Sequence, residues 1–179
     1  MSVRQNEFES VAMPHSRSLL RVARRLATDP AVAEDLVQET LLRAWRSFDQ
    51  FERGTNARAW LFRILFNAFY AQGRKARSSP VLVSLDPLGP DVPVRGPADF
   101  SLLDSAALSR AFDGLSEEHQ TVLLLGVVEG FTCREAADIL EVPIGTVMSR
   151  LSRARRALRA RIEAARPKAR GAACAEKEA

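Results

Sequence analysis

From Pro30 to Phe48 the apolar residues Ala33, Leu36, Val37, Leu41, Ala44, Trp45 and Phe48 recur at intervals of three and four. That is the stripe of an amphipathic helix, and Glu34, Asp35, Gln38, Glu39 and Arg43 occupy its other face. Asp29 and Pro30 mark its start. The carboxylate can accept from free backbone N–H groups, and proline fits the first helical position, where no N–H is needed. Upstream, Phe8, Val11, Leu19, Leu20, Val22, Ala23 and Leu26 predict an earlier helix, interrupted near Pro14. Downstream, the loop Glu52-Arg53-Gly54-Thr55 leads to a third helix at about Asn56 to Arg74. Three such helices can close a small bundle.

The pattern then breaks. Five of the nine prolines (80, 87, 90, 93 and 97) and two glycines fall between Ser78 and Asp99. Proline removes donors and fixes φ, so the stretch reads as a semi-extended linker. The run Pro80 to Leu85 looks extended but is too short and isolated to build a sheet. Helical periodicity resumes from about Phe100 to Phe112. A second helix comes next, with Ser116 as its N-cap, Glu117 and Glu118 in its positive first turn, and Val122, Leu123, Leu124, Val127 and Val128 as its apolar set. Gly130-Phe131 stops it. Thr132-Cys133-Arg134-Glu135 reads as a capping box that opens a short helix to Leu140, burying Ala136, Ala137 and Leu140. After the break at Glu141-Val142-Pro143, a last helix starts near Ile144 and buries Val147, Leu151 and Ala154.

The expected fold is therefore all-α: two small helical domains joined by a Pro-rich linker. The first covers residues 8–76, the linker 77–99, the second 100–165, and residues 166–179 form a disordered tail rich in Ala, Lys and Glu.

Charge sharpens this outline. The chain has 179 residues and a formal net charge of +4, which is compatible with nucleic acid without requiring it. Seven arginines lie between Arg150 and Arg166, against one acid, Glu163, whereas Glu34 to Glu39 is acidic. Opposite clusters predict two surfaces with different partners. A short helix, a tight turn and a long basic helix form a helix-turn-helix pattern, whose second helix would enter the major groove. Thr146, Ser149, Arg150 and Arg153 lie on its outer face, where they can bond base edges or phosphates. The competing reading is a helical hairpin with a solvated arginine face. In the first domain, Asn56, Trp60, Arg63, Asn67, Tyr70 and Arg74 form an aromatic and basic stripe without acids. It suits unpaired bases and phosphates. It is equally readable as core aromatics with arginines reaching outward.

Several function classes lack their chemistry. There is no phosphate-binding Gly-rich loop, no GxSxG, no HExxH and no paired His/Cys cluster, so the chain is not expected to be an enzyme and needs no cofactor or metal. His15 and His119 are isolated, and Cys133 and Cys174 lack nearby partners; Cys133 reads as a semi-buried helix residue. No apolar run reaches about 18 residues, and the N-terminus lacks a secretory pattern, so a cytoplasmic protein without membrane insertion is expected.

The motifs also resemble a known family. Glu34-Asp35-Leu36-Val37-Gln38-Glu39-Thr40, Arg43-Ala44-Trp45, and Ala59-Trp60-Leu61-Phe62-Arg63-Ile64 with Asn67 are similar to domain two of bacterial RNA polymerase sigma factors. Val127 to Phe131, Val142 to Val147, Ser149-Arg150-Leu151 and Arg153-Ala154-Arg155 are similar to their domain four. With only a linker between, the arrangement resembles the extracytoplasmic-function (ECF) type of the sigma-70 family, over residues 8–165. The resemblance implies a sigma factor that binds core RNA polymerase and directs promoter recognition and melting. It implies polymerase docking through Asp35, Gln38, Glu39 and Arg43. It implies that Arg53, Asn56, Trp60, Arg63, Asn67 and Arg74 hold the melted minus-ten strand. The helix bearing Thr146, Ser149, Arg150 and Arg153 would read the minus-thirty-five element, and an anti-sigma protein would be a further partner. Glu141, Met148 and Gly126 depart from residues common in the family: glycine, lysine and arginine. Without glycine at 141, the turn lacks easy access to left-handed φ. The alternative is a stand-alone helix-turn-helix regulator, which would bind duplex DNA unaided.

Overall fold

A computed structural model describes residues 3–27, 29–76 and 105–165, without the side chains of 74–76 and 105. The expected linker 77–99, the tail 166–179, the run 80–85, residues 100–104 and Cys174 lie outside the described residues. Among those described, every regular element is helical: α1 (Val3–Ala12), α2 (Ser16–Leu26), α3 (Pro30–Arg46), α4 (Ala57–Ala76), α5 (Ser105–Asp113), α6 (Glu117–Leu123), α7 (Cys133–Leu140) and α8 (Ile144–Ala165).

The first four helices form a bundle. Pro14 sits in a 3-10 turn, Met13–His15, which separates α1 from α2 at the interruption the sequence predicts. Asp29 caps α3, its carboxylate accepting from the Ala31 N–H at 2.8 Å with Pro30 behind it. Leu36, Val37 and Ala44 of α3 are buried against Leu19 and Val22 of α2 and Leu61, Phe62, Leu65 and Phe66 of α4. Thr40 lies inside this apolar face at no cost in unpaired groups, because its hydroxyl donates to the Leu36 carbonyl one turn back at 2.7 Å. Phe8, Phe48, Phe51 and Trp60 close one end of the bundle edge to face and in tilted contacts.

In the second half, α6 and α7 pack on α8 through Val122, Leu124, Ile139, Val147, Leu151 and Ala154. The expected capping box is present. The Thr132 hydroxyl accepts from the Glu135 N–H, and the Glu135 carboxylate accepts from the Thr132 N–H at 2.9 Å. Ser116 stands at the N-cap of α6, but its side chain makes no capping bond. In α7 the inward position is Ile139, with Leu140 only half-buried.

A larger departure lies at Val127 and Val128, expected to be core residues of the second helix. Both are 47% exposed. The cause is one turn of π-helix, Leu124–Val128, in which the Glu129 N–H bonds to the Leu124 carbonyl at 2.9 Å. An extra residue in the turn rotates the chain beyond it, so the valines swing out and Glu129 swings in. The turn after α7 forms through Glu141 itself, which takes left-handed angles (φ 56°, ψ 41°) without being glycine. That conformation costs about 1–2 kcal/mol in a residue with a Cβ.

Candidate nucleic-acid interface

The helix-turn-helix is built locally. The capping box fixes the start of α7, left-handed Glu141 ends it, and Pro143 precedes the first turn of α8. The Val142 N–H closes the turn onto the Ala137 carbonyl at 3.1 Å. Two hydrogen bonds from Thr132, backbone first and hydroxyl second, hold the Glu135 carboxyl below its ordinary range, and Asn56 and Arg58 add to the effect. Thr132→Ala should therefore lower stability by about 1 kcal/mol in urea unfolding. The Glu135 half of the box has a depressed folded pKa, so its stabilisation is present above the unfolded carboxylate range. It is lost as pH falls through the folded value, and the penalty of Glu135→Ala should shrink on acidification. A pH-independent penalty would contradict this.

The four expected duplex-reading residues are not equivalent. Thr146 and Ser149 are half-buried in the first turns of α8, with the Ser149 hydroxyl donating to the Thr146 carbonyl at 3.0 Å. Arg153 is half-buried and partnered. Arg150 folds back on Glu118 of α6 at 2.9 Å, its side chain only 14% exposed. The outermost groups at this end of α8 include Ile144 and Met148, both 47% exposed.

The stripe on α4 is divided as well. Arg53 is exposed in the preceding loop and ion-paired with Glu7 of α1, which lowers the Glu7 pKa and raises that of Arg53. Asn56 caps α4, its side-chain oxygen accepting from the Ala59 N–H at 3.0 Å. Trp60 is half-buried against Phe51, ring centroids 4.8 Å apart, so the core reading of this residue has direct support. Asn67 is exposed. The Arg74 side chain lies outside the described residues. Tyr70 is drawn inward, its hydroxyl 3.3 Å from that of Thr121, and burial pushes the phenol pKa up.

Besides Tyr70, two more of these groups are engaged by the second half of the chain. The Asn56 amide donates to Glu135 at 2.8 Å, and Arg63 forms an ion pair with Glu141. Beside them sits a charged cluster that sequence reasoning missed: Glu129, whose side chain is fully buried, accepts from Arg21 of α2 at 2.9 Å and from Arg58 of α4. The Arg58 guanidinium also donates to the Glu129 carbonyl at 2.7 Å and covers the Phe131 ring at 4.3 Å.

On α3, Asp35, Gln38 and Arg43 are exposed, and half-exposed Glu39 accepts from Arg43 at 2.6 Å. Gln38 also lines an open, mainly apolar groove between α1 and α3, with Phe8, Met13, Leu41, Leu42 and Trp45. Met13 and Leu42 are half exposed there. Among the described residues, no group of three or more His, Cys, Asp or Glu could hold a metal, and no helix is long and apolar enough to cross a membrane.

Residues 11–79 match the family Sigma-70 region 2, and residues 105–158 match Sigma-70, region 4. The chain is 39% identical over 148 residues to the ECF RNA polymerase sigma factor SigL of Mycobacterium tuberculosis, covering 81% of this chain and 82% of that protein. It is 36% identical over 143 residues to the ECF RNA polymerase sigma factor EcfG of Rhodopseudomonas palustris, covering 80% and 78%. Its fold is similar to that of the sigma factor RpoE in complex with the anti-sigma factor NepR from Bartonella quintana. The TM-score is 0.68 with 35% identity, over 89% of this chain and 99% of that one. Both halves of the chain, in the order its motifs set them, thus belong to the sigma-70 family, and the protein is an ECF RNA polymerase sigma factor that directs transcription initiation.

Proposed function

We propose that the chain performs its sigma role through three surfaces. The exposed face of α3, Asp35, Gln38, Glu39 and Arg43, docks on core RNA polymerase, and the adjoining apolar groove supplies desolvated contact area. The loop before α4 and one face along α4, with Arg53, Asn56, Trp60, Arg63, Asn67 and Arg74, hold the melted minus-ten strand. Thr146, Ser149, Arg150 and Arg153 on α8 read the minus-thirty-five element, Arg150 exchanging Glu118 for a phosphate or base edge.

The observation that carries this reading is the pairing of a solvent-facing polar helix with an open apolar groove in one half of the chain and a capped helix-turn-helix in the other. A stand-alone regulator would need the second but not the first. The polymerase supplies the chemistry; the chain is a binding protein and not an enzyme, working in the cytoplasm beside the polymerase. A solved relative is a complex with an anti-sigma factor, and this chain is held in check by a partner of that kind.

Gel filtration of the purified full chain mixed with bacterial core RNA polymerase tests the proposal. Stoichiometric co-elution is expected. A properly folded, inhibitor-free chain that elutes apart from the polymerase would overturn it in favour of the stand-alone regulator.

A further inference from the structure

We infer that Glu129 is the catch of an intramolecular latch that holds the two halves of the free chain together and covers the strand-binding end of α4. The inference rests on the proposed roles of Asn56 and Arg63. A carboxylate fully removed from water is tolerated only when paired, and the arginines that pair with Glu129 belong to the other half of the chain. Arg21 comes from α2 and Arg58 from α4, whereas Glu129 ends the π-helical turn after α6. Around this catch the seam is apolar: Phe62 of α4 meets Phe131 edge to face, with ring centroids 5.2 Å apart.

The second feature is a row of acids. Glu129, Glu135 and Glu141 succeed one another at six-residue spacing through the helix-turn-helix. Each meets a donor of the first half: Arg21 and Arg58, Asn56, and Arg63. Glu135 and Glu141 thus occupy Asn56 and Arg63, two of the groups that would otherwise bind the phosphates and bases of an unpaired strand. The closed chain answers its own nucleic-acid site with an internal anion surface. It also cannot span a promoter. Elements centred at minus ten and minus thirty-five are on the order of 85 Å apart at about 3.4 Å per base pair, whereas a compact chain of this length has a radius of gyration of about 16 Å. The α3 face lies outside the seam and stays exposed. Polymerase therefore docks first on α3, and opening of the latch comes second.

The test uses the full chain and two variants, Arg21→Glu and Glu129→Lys. Arg21 is exposed, so its reversal leaves the bundle core intact. Both place like charges at the catch, yet they change net charge in opposite directions. Small-angle X-ray scattering should give a compact particle for the wild type and a larger, two-lobed one for both variants, with helix content unchanged by circular dichroism. A fluorescein-labelled single-stranded oligothymidylate should bind both variants about tenfold or more tighter, since masking multiplies affinity by the open fraction. Arg21→Glu makes the chain more acidic, so tightening there cannot come from charge alone. Three results would overturn the latch: an extended wild type, compact variants, or tightening confined to Glu129→Lys. Opening with unchanged probe affinity would remove the masking role. If the variants open and tighten but no form co-elutes with polymerase, the sigma docking assignment fails while the latch stands.

Discussion

A chain carrying Asp35→Arg and Glu39→Arg is expected to lose its complex with core polymerase and keep its fold. Both residues lie on the outer face of α3, one exposed and one half-exposed, and neither contributes to the buried stripe of Ala33, Leu36, Val37 and Ala44. The structural cost is small. Glu39 gives up a solvent-exposed pair with Arg43 one turn away, worth at most about 1 kcal/mol, and the new arginines repel one another by a similar amount. The binding cost is much larger. If the α3 face docks as proposed, two cations placed there create like-charge contacts with the polymerase worth several kcal/mol. Affinity should fall by about 100-fold or more, read by gel filtration and by anisotropy of a labelled chain, with circular dichroism confirming helix content. An unchanged complex would remove α3 from the polymerase interface and shift attention to the apolar groove alone.

What made this face legible is that α3 obeys a single period from its cap to its last turn. Asp29, Pro30 and the stripe to Phe48 are local signals, and local physics honours them: the cap bond forms and the expected apolar residues turn inward. The capping box at Thr132 and Glu135 was legible for the same reason, since two side chains and two backbone groups three residues apart need nothing else. Glu141 is a partial case. Its departure from glycine was visible, but that the chain would enter the left-handed region there regardless was not.

The catch at Glu129 was not legible, and the reason is geometric. Periodicity assigns faces on the assumption of 3.6 residues per turn. The π-turn from Leu124 to Val128 adds a residue, so the count that placed Val127 and Val128 inside puts Glu129 there instead. No composition signal marks the insertion. The same limit applies to Arg58, which the stripe read from the sequence does not include and which spans the seam, bonding Glu129 and covering Phe131. A sequence pattern tells which side of a helix seeks cover. It does not tell what will cover it, and here Asn56 and Arg63, at and near the start of α4, meet the second half of the same chain.

Because of that coupling, Phe62→Ala is expected to be the most destabilising single change. Phe62 is fully buried in α4, so truncation removes apolar area and leaves a cavity, at about 3–5 kcal/mol. It also deletes the edge-to-face pair with Phe131, about 0.5–1.5 kcal/mol more, and the ring beneath Arg58 at 5.6 Å. The loss falls on the bundle and on the seam together. The two tryptophans, Trp45 and Trp60, both lie in the first half, so their fluorescence reports that half alone, whereas far-ultraviolet circular dichroism reports both. In the wild type the two signals should fall together in urea, because the latch makes the halves one cooperative unit. In Phe62→Ala the fluorescence midpoint should drop by about 2 M, at a urea dependence of about 1–3 kcal/mol/M. A later circular dichroism step would then remain from α5 to α8. Separation of the signals would locate the coupling at this ring. A single transition shifted by less than about 1 kcal/mol would mean that Phe62 neither holds the bundle nor joins the halves.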